Sequence, residues 1–326
     1  MTSCGLSGIH PVTLRISVTH TCQMRCLYCT PEKHQHRMNK LDQIEYGEIM
    51  RFVNFLQHAY GLSKVRITGG EPLLRNGLDS LIRMLSTSGV GEITLTTNAQ
   101  LLSAHARALR DAGLSRLNIS LDSVNPETFR AMTRGGDLQL TLDGIAEARK
   151  CGLAPIKLNM VVMRGVNDRE VIDMARFGIE NECQIRYLEL MPIGISPEQF
   201  QQWFVSSADI EQKLAERFSL TLIPGELSSS SRNFRIADET RRAGIVGFIS
   251  PKTVPFCAGC RRLRLKSDGH LVGCLARKTE WDIRPFLADD QTIESPRLKE
   301  MIESALNNKQ AFGKFQNNDT MAEIGG

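Results

Sequence analysis

The chain reads as an α/β protein built on a parallel sheet, followed by a smaller region with a different rhythm. Three observations predict this. Between Leu14 and about Met191, short β-rich runs alternate with amphipathic helical stretches. Glycines follow the helical stretches where a left-handed cap is expected. Residues able to do chemistry gather just after the β-rich runs, at the strand ends where parallel sheets bind ligands.

Taken in order, the strands are expected at Leu14–Val18, Lys64–Thr68, Glu92–Thr96, Arg116–Ser120, Ile156–Val162 and Gln184–Leu190, each a β-branched or apolar run. Helices such as Glu45–Tyr60, Ser103–Ala112 and Asp168–Ile179 fall between them. Gly61, Gly113 and Gly152 mark helix ends, and Ser103 stands where an N-cap oxygen is useful. Repeated βα units give right-handed crossovers and either an open sheet or a curved barrel. After Pro192 the pattern changes, so a boundary is placed near residue 195, dividing 1–195 from 196–326. The later part is read as a helix at Ser207–Phe218, a solvated serine loop from Ser228 to Ser231 and a strand at Gly244–Ile249. A hairpin then joins Arg262–Leu265 to His270–Cys274 through Asp268-Gly269.

Composition narrows the function. The chain has 326 residues, 41% of them hydrophobic, enough for a substantial core. Its 40 Lys and Arg against 36 Asp and Glu leave +4, too small a surplus to argue for nucleic acid as a partner. No leader pattern opens it and no apolar run spans a bilayer, so a soluble cytoplasmic protein without a membrane partner is expected. In that compartment thiols stay reduced, so the nine cysteines point to metal rather than disulfides. Cys4, Cys151 and Cys183 stand apart and read as small core side chains.

The other six form two groups. Cys22, Cys26 and Cys29 make a C-x3-C-x2-C array directly after the first strand, with the aromatic Tyr28 before the last cysteine. Structural zinc closes a four-ligand shell, whereas an iron–sulfur cubane held by three thiolates keeps one iron open. Half of a split zinc site is the competing reading. Gly69-Gly70-Glu71-Pro72 follows the second strand, where glycine permits close backbone approach, or where it simply makes a turn. The second group, Cys257-x2-Cys260-x13-Cys274, again has no evident fourth partner, although His270 is near in sequence. Between its members runs Arg261-Arg262-Leu263-Arg264-Leu265-Lys266, and strand alternation puts Arg262 and Arg264 together on one face, suited to an anion such as phosphate. A solvated charged strand is the plainer alternative.

LRISVTHTCQMRCLYC, RITGGEPLLR, LTTN, NISLDS, IKLNMVVMRGVND, RYLELMP, GFISP, FCAGCRRLRL and the final IGG occur in this order. The cysteine loop resembles the radical S-adenosylmethionine (SAM) superfamily, and the whole series is similar to the GTP 3′,8-cyclases of molybdenum-cofactor biosynthesis. The resemblance implies an incomplete (β/α)6 barrel closed by a smaller C-terminal α+β region. It implies two [4Fe–4S] clusters, on Cys22, Cys26 and Cys29 and on Cys257, Cys260 and Cys274. It implies SAM contacts at Tyr28, Gly70, Ser120 and Met191, and GTP contacts at Arg15, Arg66, Thr96, Lys157, Arg262, Leu263 and Arg264. Arg262, Arg264, Gly325 and Gly326 are implied to assist catalysis, the two glycines as a tail that threads toward GTP. The implied reaction is conversion of GTP to (8S)-3′,8-cyclo-7,8-dihydroguanosine 5′-triphosphate, with a reducing electron donor and a downstream cyclic pyranopterin monophosphate synthase as partners, in a monomer or homodimer. The family usually has Asp-Arg-Cys-Asn where His20-Thr21-Cys22-Gln23 stands, Asn in place of Arg261 and Gly in place of Ala99. These departures leave room for a paralogue that modifies another nucleotide or a peptide. A zinc-dependent nucleic-acid-binding protein, the reading from another class, would want four ligands per metal and a pI well above the value of about 8.6.

Overall fold

The computed structural model describes residues 11–29, 43–225, 229–257, 259–309, 315 and 321. Six strands, β1 (Thr13–Ser17), β2 (Lys64–Thr68), β3 (Glu92–Thr97), β4 (Arg116–Ser120), β5 (Ile156–Val162) and β6 (Gln184–Glu189), lie side by side in chain order, every neighbouring pair parallel. Helices α1 (Tyr46–Tyr60), α2 (Leu78–Thr87), α3 (Leu102–Asp111), α4 (Pro126–Thr133), α5 (Leu138–Lys150) and α6 (Val171–Glu180) fill the connections. This is the βα rhythm read from the sequence, with strand ends within a residue or two of expectation.

Residues after 195 add to both flanks of the same sheet. After α7 (Pro197–Trp203) and α8 (Ser207–Ala215) come β7 (Ser219–Ile223), β8 (Arg232–Ala237) and β9 (Ala243–Ile249). β9 pairs parallel with β6, and β8 and β7 follow it antiparallel. On the other flank β10 (Arg262–Leu265) pairs parallel with β1, and β11 (His270–Val272) and β12 (Glu280–Asp282) continue outward antiparallel. The order is β12-β11-β10-β1-β2-β3-β4-β5-β6-β9-β8-β7, and no pairing joins β12 to β7 among the described residues. Helix α9 (Pro296–Asn307) follows β12 and packs on β10, β11 and β12.

Strand alternation gives the sheet two different faces. In β5, Ile156, Leu158, Met160 and Val162 are buried, while Asn159 and Val161 line a cavity. The buried face meets apolar helix stripes such as Ile49, Phe52, Val53 and Leu56 of α1. Cys151 and Cys183 are buried in that core as expected, and Cys4 lies outside the described residues. Helix ends follow the glycines, with Gly61 at φ 66°, Gly113 at 103° and Gly152 at 75°. Ser103 is not an N-cap: α3 begins at Leu102, which is fully buried, and its amide bonds to the Ala99 carbonyl. Burial of Leu102 and the tight turn before it fix that start, so the serine falls inside the first turn. Of the serine loop, Ser228 lies outside the described residues, while the Ser229 hydroxyl donates to the Ser231 carbonyl at 2.9 Å.

Candidate active site

The first cysteine loop is tied down on both sides by backbone. Val18 N–H donates to Thr68 O at 2.9 Å, Gly70 N–H to Thr19 O at 2.6 Å and Glu71 N–H to Thr21 O at 2.8 Å. A Cβ on Gly70 would stand 2.5 Å from the carbonyls of His20 and Thr21, and one on Gly69 2.5 Å from that of Thr19. The Gly69-Gly70 pair therefore lets the loop after β2 run against the cysteine loop, a packing reason beside the expected approach to ligand. Arg25 N–H and Leu27 N–H donate to Thr133 O and Met132 O at the end of α4, both at 2.9 Å.

Polar side chains finish the positioning. Cys22 Sγ accepts from Met24 N–H at 3.4 Å and Asn98 Nδ2 at 3.7 Å. Gln23 Nε2 reaches Asn98 Oδ1 at 3.3 Å, so the departure at Gln23 has a structural partner. Glu71, fully buried, accepts from Leu73 N–H, Thr97 Oγ1 and Asn98 N–H; burial pushes its carboxyl up to about 7 and those donors oppose the rise. Tyr28 OH donates to Asp122 Oδ2 at 2.8 Å, while Asp122 Oδ1 accepts from Val161 N–H at 2.9 Å. Burial lifts Asp122 to about 6 and also raises Tyr28, which the Asp122 charge raises further. Burial pushes the Cys22 thiol up to about 11 and Cys26 upward too, with Asp122 adding to the latter. Thiols so raised become thiolates when a metal takes the place of the proton.

The second cysteine group sits across the cavity from different neighbours. Cys260 N–H closes a turn on Cys257 O at 3.1 Å, and Lys309 Nζ ties the next segments together by donating to Arg262 O at 2.6 Å and Gly273 O at 2.5 Å. A Cβ on Gly273 would meet Ala305 O of α9 at 2.0 Å, so glycine is needed for the helix to back Cys274. Burial raises the Cys257 thiol, while Arg262 pulls it down. His270 Nδ1 lies 3.1 Å from Asp268 Oδ1 in the hairpin turn, and no three His, Cys, Asp or Glu side chains could hold a single metal ion among the described residues. In a cubane each thiolate binds its own iron, so the donors need not converge on one point. Three-cysteine sets facing a shared cavity fit such clusters.

Both groups line one cavity of about 340 Å³. Tyr28, Gly70, Ser120, Met191, Thr96, Arg15, Arg66, Arg262 and Arg264 line it with them. Two expected residues do not: Leu263 is fully buried on the opposite face of β10, and Lys157 lies two positions before the lining Asn159 on β5. Gly325 and Gly326 lie outside the described residues. Register sets Arg15 beside both Arg264 and Arg66, since β1 lies between β10 and β2. Burial lowers Arg15, and Arg264, Arg66 and Arg262 lower it further; Arg264 falls to about 10 by burial and the nearness of Arg262. These guanidiniums repel one another in a dry place, a configuration relieved by a polyanion. Arg186 joins them, brought to about 10 by burial and by Arg66 and Arg116, and its Nη1 donates to Asn118 Oδ1 at 3.2 Å. Lys157 is lowered to about 8 by burial, then by Arg186, Arg116 and Lys64. Arg186 and Asn159 were missed in the sequence, although a cation inside a β-run, as in QIRYLE, was an available signal.

No helix of the described residues is long and apolar enough to cross a membrane. Residues 16–178 match the Radical SAM superfamily and residues 183–315 match Molybdenum Cofactor Synthesis C. A GTP 3′,8-cyclase of Peptoclostridium acidaminophilum is 41% identical over 96% of this chain and 95% of its own length. One from Geobacter sulfurreducens is 41% identical over 89% of this chain and 88% of its own. Among solved structures, Streptococcus suis SuiB bound to S-adenosylmethionine superposes with a TM-score of 0.63 at 17% identity, over 87% of this chain and 65% of that longer one, a likeness of fold. A sheet of βα units, two three-cysteine groups on one cavity and relatives of this similarity agree: the chain belongs to the GTP 3′,8-cyclase family of the radical SAM superfamily.

Proposed function

We propose that this chain converts GTP to (8S)-3′,8-cyclo-7,8-dihydroguanosine 5′-triphosphate, a step of molybdenum-cofactor biosynthesis. The observation that carries the reading is the single cavity that six cysteines share with Arg15, Arg66, Arg262 and Arg264. Cys22, Cys26 and Cys29 would hold one [4Fe–4S] cluster, and Cys257, Cys260 and Cys274 another. Bound there, the first would supply the electron that cleaves SAM reductively, and the second would supply a Lewis-acidic site for the nucleotide.

The chain's own groups position and shield. Tyr28, Gly70, Ser120 and Met191 line the cavity with the first cysteine group and are assigned to SAM. Asp122 fixes the Tyr28 hydroxyl, and Asn98 fixes Cys22. Arg15, Arg66, Arg262 and Arg264, joined by the lining Arg186 and by Lys157 outside the lining, are assigned to the triphosphate, whose roughly four negative charges a cationic dry site favours. Thr96 lines the same cavity, while Leu263 is buried on the opposite face of β10. Residues lining one shared cavity would hold nucleotide and SAM together and keep the reacting centre away from water. A cytoplasmic setting, a reducing electron donor and a cyclic pyranopterin monophosphate synthase downstream complete the reading.

The test is anaerobic reconstitution with SAM, dithionite and GTP, followed by chromatography for 5′-deoxyadenosine and cyclised nucleotide. Two clusters by iron and sulfide analysis, and an EPR signal that changes on adding GTP, are expected. 5′-Deoxyadenosine formed without any cyclised GTP would overturn the substrate.

A further inference from the structure

Beside the cationic end of the cavity, without lining it, stands an acid that the proposed reaction does not use. Glu92 opens β3, in register with Lys64 at the start of β2. Its Oε2 lies 2.5 Å from Lys64 Nζ and its Oε1 3.2 Å from Arg116 Nε. Along the same strands, two residues on, stand Arg66 and Thr94, and Thr96 beyond them lines the cavity with Arg66. Glu92 thus sits two residues along the strands from the lining cations, paired with Lys64 and Arg116, which lie outside the lining itself. Arg15, Arg66, Lys157, Arg186 and Arg262 form no ion pair among the described residues.

We propose that Glu92 is an exchangeable counter-anion: it neutralises Lys64 and Arg116 in the ligand-free chain and yields them to the triphosphate when a nucleotide enters. The inference rests on the reading of this cavity as a GTP site. Three facts support it. The side chains of Glu92, Lys64 and Arg116 are 22%, 34% and 43% exposed, so both cations reach water, and Oε1 of Glu92, although buried, makes no hydrogen bond and holds Arg116 by charge alone. The Glu92 charge also reaches deeper groups, raising the pKa of Arg66, Lys157 and Arg186, each of which burial and cationic neighbours lower. Finally, a carboxylate left beside a bound triphosphate repels it, so the same group that steadies the cations in the free enzyme favours release of a product that keeps its phosphates. At partly wet sites, one charge roughly ten ångströms from about four others changes affinity on the order of tenfold.

The opposite expectation is equally concrete: a Glu92 that merely aims Lys64 and Arg116 at phosphate would strengthen binding. Calorimetric titration of the cluster-loaded protein with GTP and with inorganic tripolyphosphate separates the two, comparing wild type, Glu92→Gln and the charge-retaining Glu92→Asp. Glu92→Gln should bind both ligands about tenfold more tightly, with the gain shrinking at high salt, and its ligand-free melting temperature should fall. Glu92→Asp should track wild type. Unchanged or weaker binding by a folded Glu92→Gln overturns the proposal, and so does tighter binding of the same size in Glu92→Asp. Wild type that bound tripolyphosphate but not GTP would sink the GTP reading and leave this inference to the tripolyphosphate ratio; binding of neither would overturn both.

Discussion

The two cysteine groups face the same cavity yet are assembled in opposite ways. Cys22, Cys26 and Cys29 occupy eight consecutive residues of one loop, braced by the Gly69-Gly70 turn and the end of α4. Cys257, Cys260 and Cys274 come from a turn and from the end of a hairpin, brought together by pairing of β10 with β1, by Lys309 and by α9. Their surroundings differ as well. Glu71 and Asp122 stand by the first group, whereas Arg262, Arg264 and Lys309 stand by the second. Negative surroundings suit a site that must give up an electron, and positive ones suit a site that must collect an anion. One tight loop is enough for the first job because SAM brings its own ligating groups; the second must gather cations from several strands.

The strongest test of that division removes ligands. Replacing Cys22, Cys26 or Cys29 with Ala should reduce 5′-deoxyadenosine formation to background, while Ala at Cys257, Cys260 or Cys274 should spare some SAM cleavage and stop cyclisation. Equal loss of both activities in folded protein from the two sets would break the comparison.

Next in size are the two glycines on which each group's support depends. Gly273→Ala forces a contact of 2.0 Å with the Ala305 carbonyl, and Gly70→Ala contacts of 2.5 Å with two carbonyls. Backbone has little room to yield, so each should cost about 3 kcal/mol, at the upper end for overpacking. The comparison sharpens if Gly273→Ala loses iron from the second site alone and Gly70→Ala from the first alone, read by site-resolved EPR. Loss from both sites in each variant would show that the two supports are coupled.

A smaller effect is expected from the arginines. Arg262→Ala and Arg264→Ala should each weaken GTP binding by about 2 kcal/mol and leave SAM binding unchanged, since a charge-assisted contact is lost at one end of the cavity only. Equal weakening of both ligands, measured by equilibrium titration, would mean that the charges do not divide the cavity.

The contrast between the groups also explains what the sequence made legible. The first array, the glycine pair and all six strands of the βα series could be read because each depends on residues close in sequence. That β10 would lie against β1, setting Arg264 beside Arg15, depends on a pairing across nearly the whole chain and has no local signature. Strands β7, β8 and β12 also escaped notice; β7 lies at an edge of the sheet with exposed or half-exposed residues throughout, so it carries no clear alternation. Lys309 follows α9, and nothing in its sequence surroundings indicates that its amine crosses to the Arg262 and Gly273 carbonyls.

The smallest expected effect concerns Ala99, where the family usually has glycine. It follows Asn98, the residue that donates to Cys22, and it is fully buried with φ at 63°, in the left-handed region. A Cβ on Gly144 of α5 would stand 2.6 Å from the Ala99 carbonyl and 3.3 Å from its Cβ, so the helix packs closely on this turn. Left-handed backbone costs an alanine about 1–2 kcal/mol. Against that, Ala99→Gly would lose a buried methyl worth about 0.8 kcal/mol and would loosen the unfolded chain by about 0.4–1 kcal/mol. These terms nearly cancel, so stability should change by less than about 1 kcal/mol, and the turn should keep its shape because it already has the conformation glycine would adopt. The departure at Ala99 is then a matter of backbone conformation, and Ala99→Gly should leave the preference for GTP over other nucleoside triphosphates unaltered. A shift in that preference, measured by competition between GTP and ATP, would instead make position 99 a determinant of substrate.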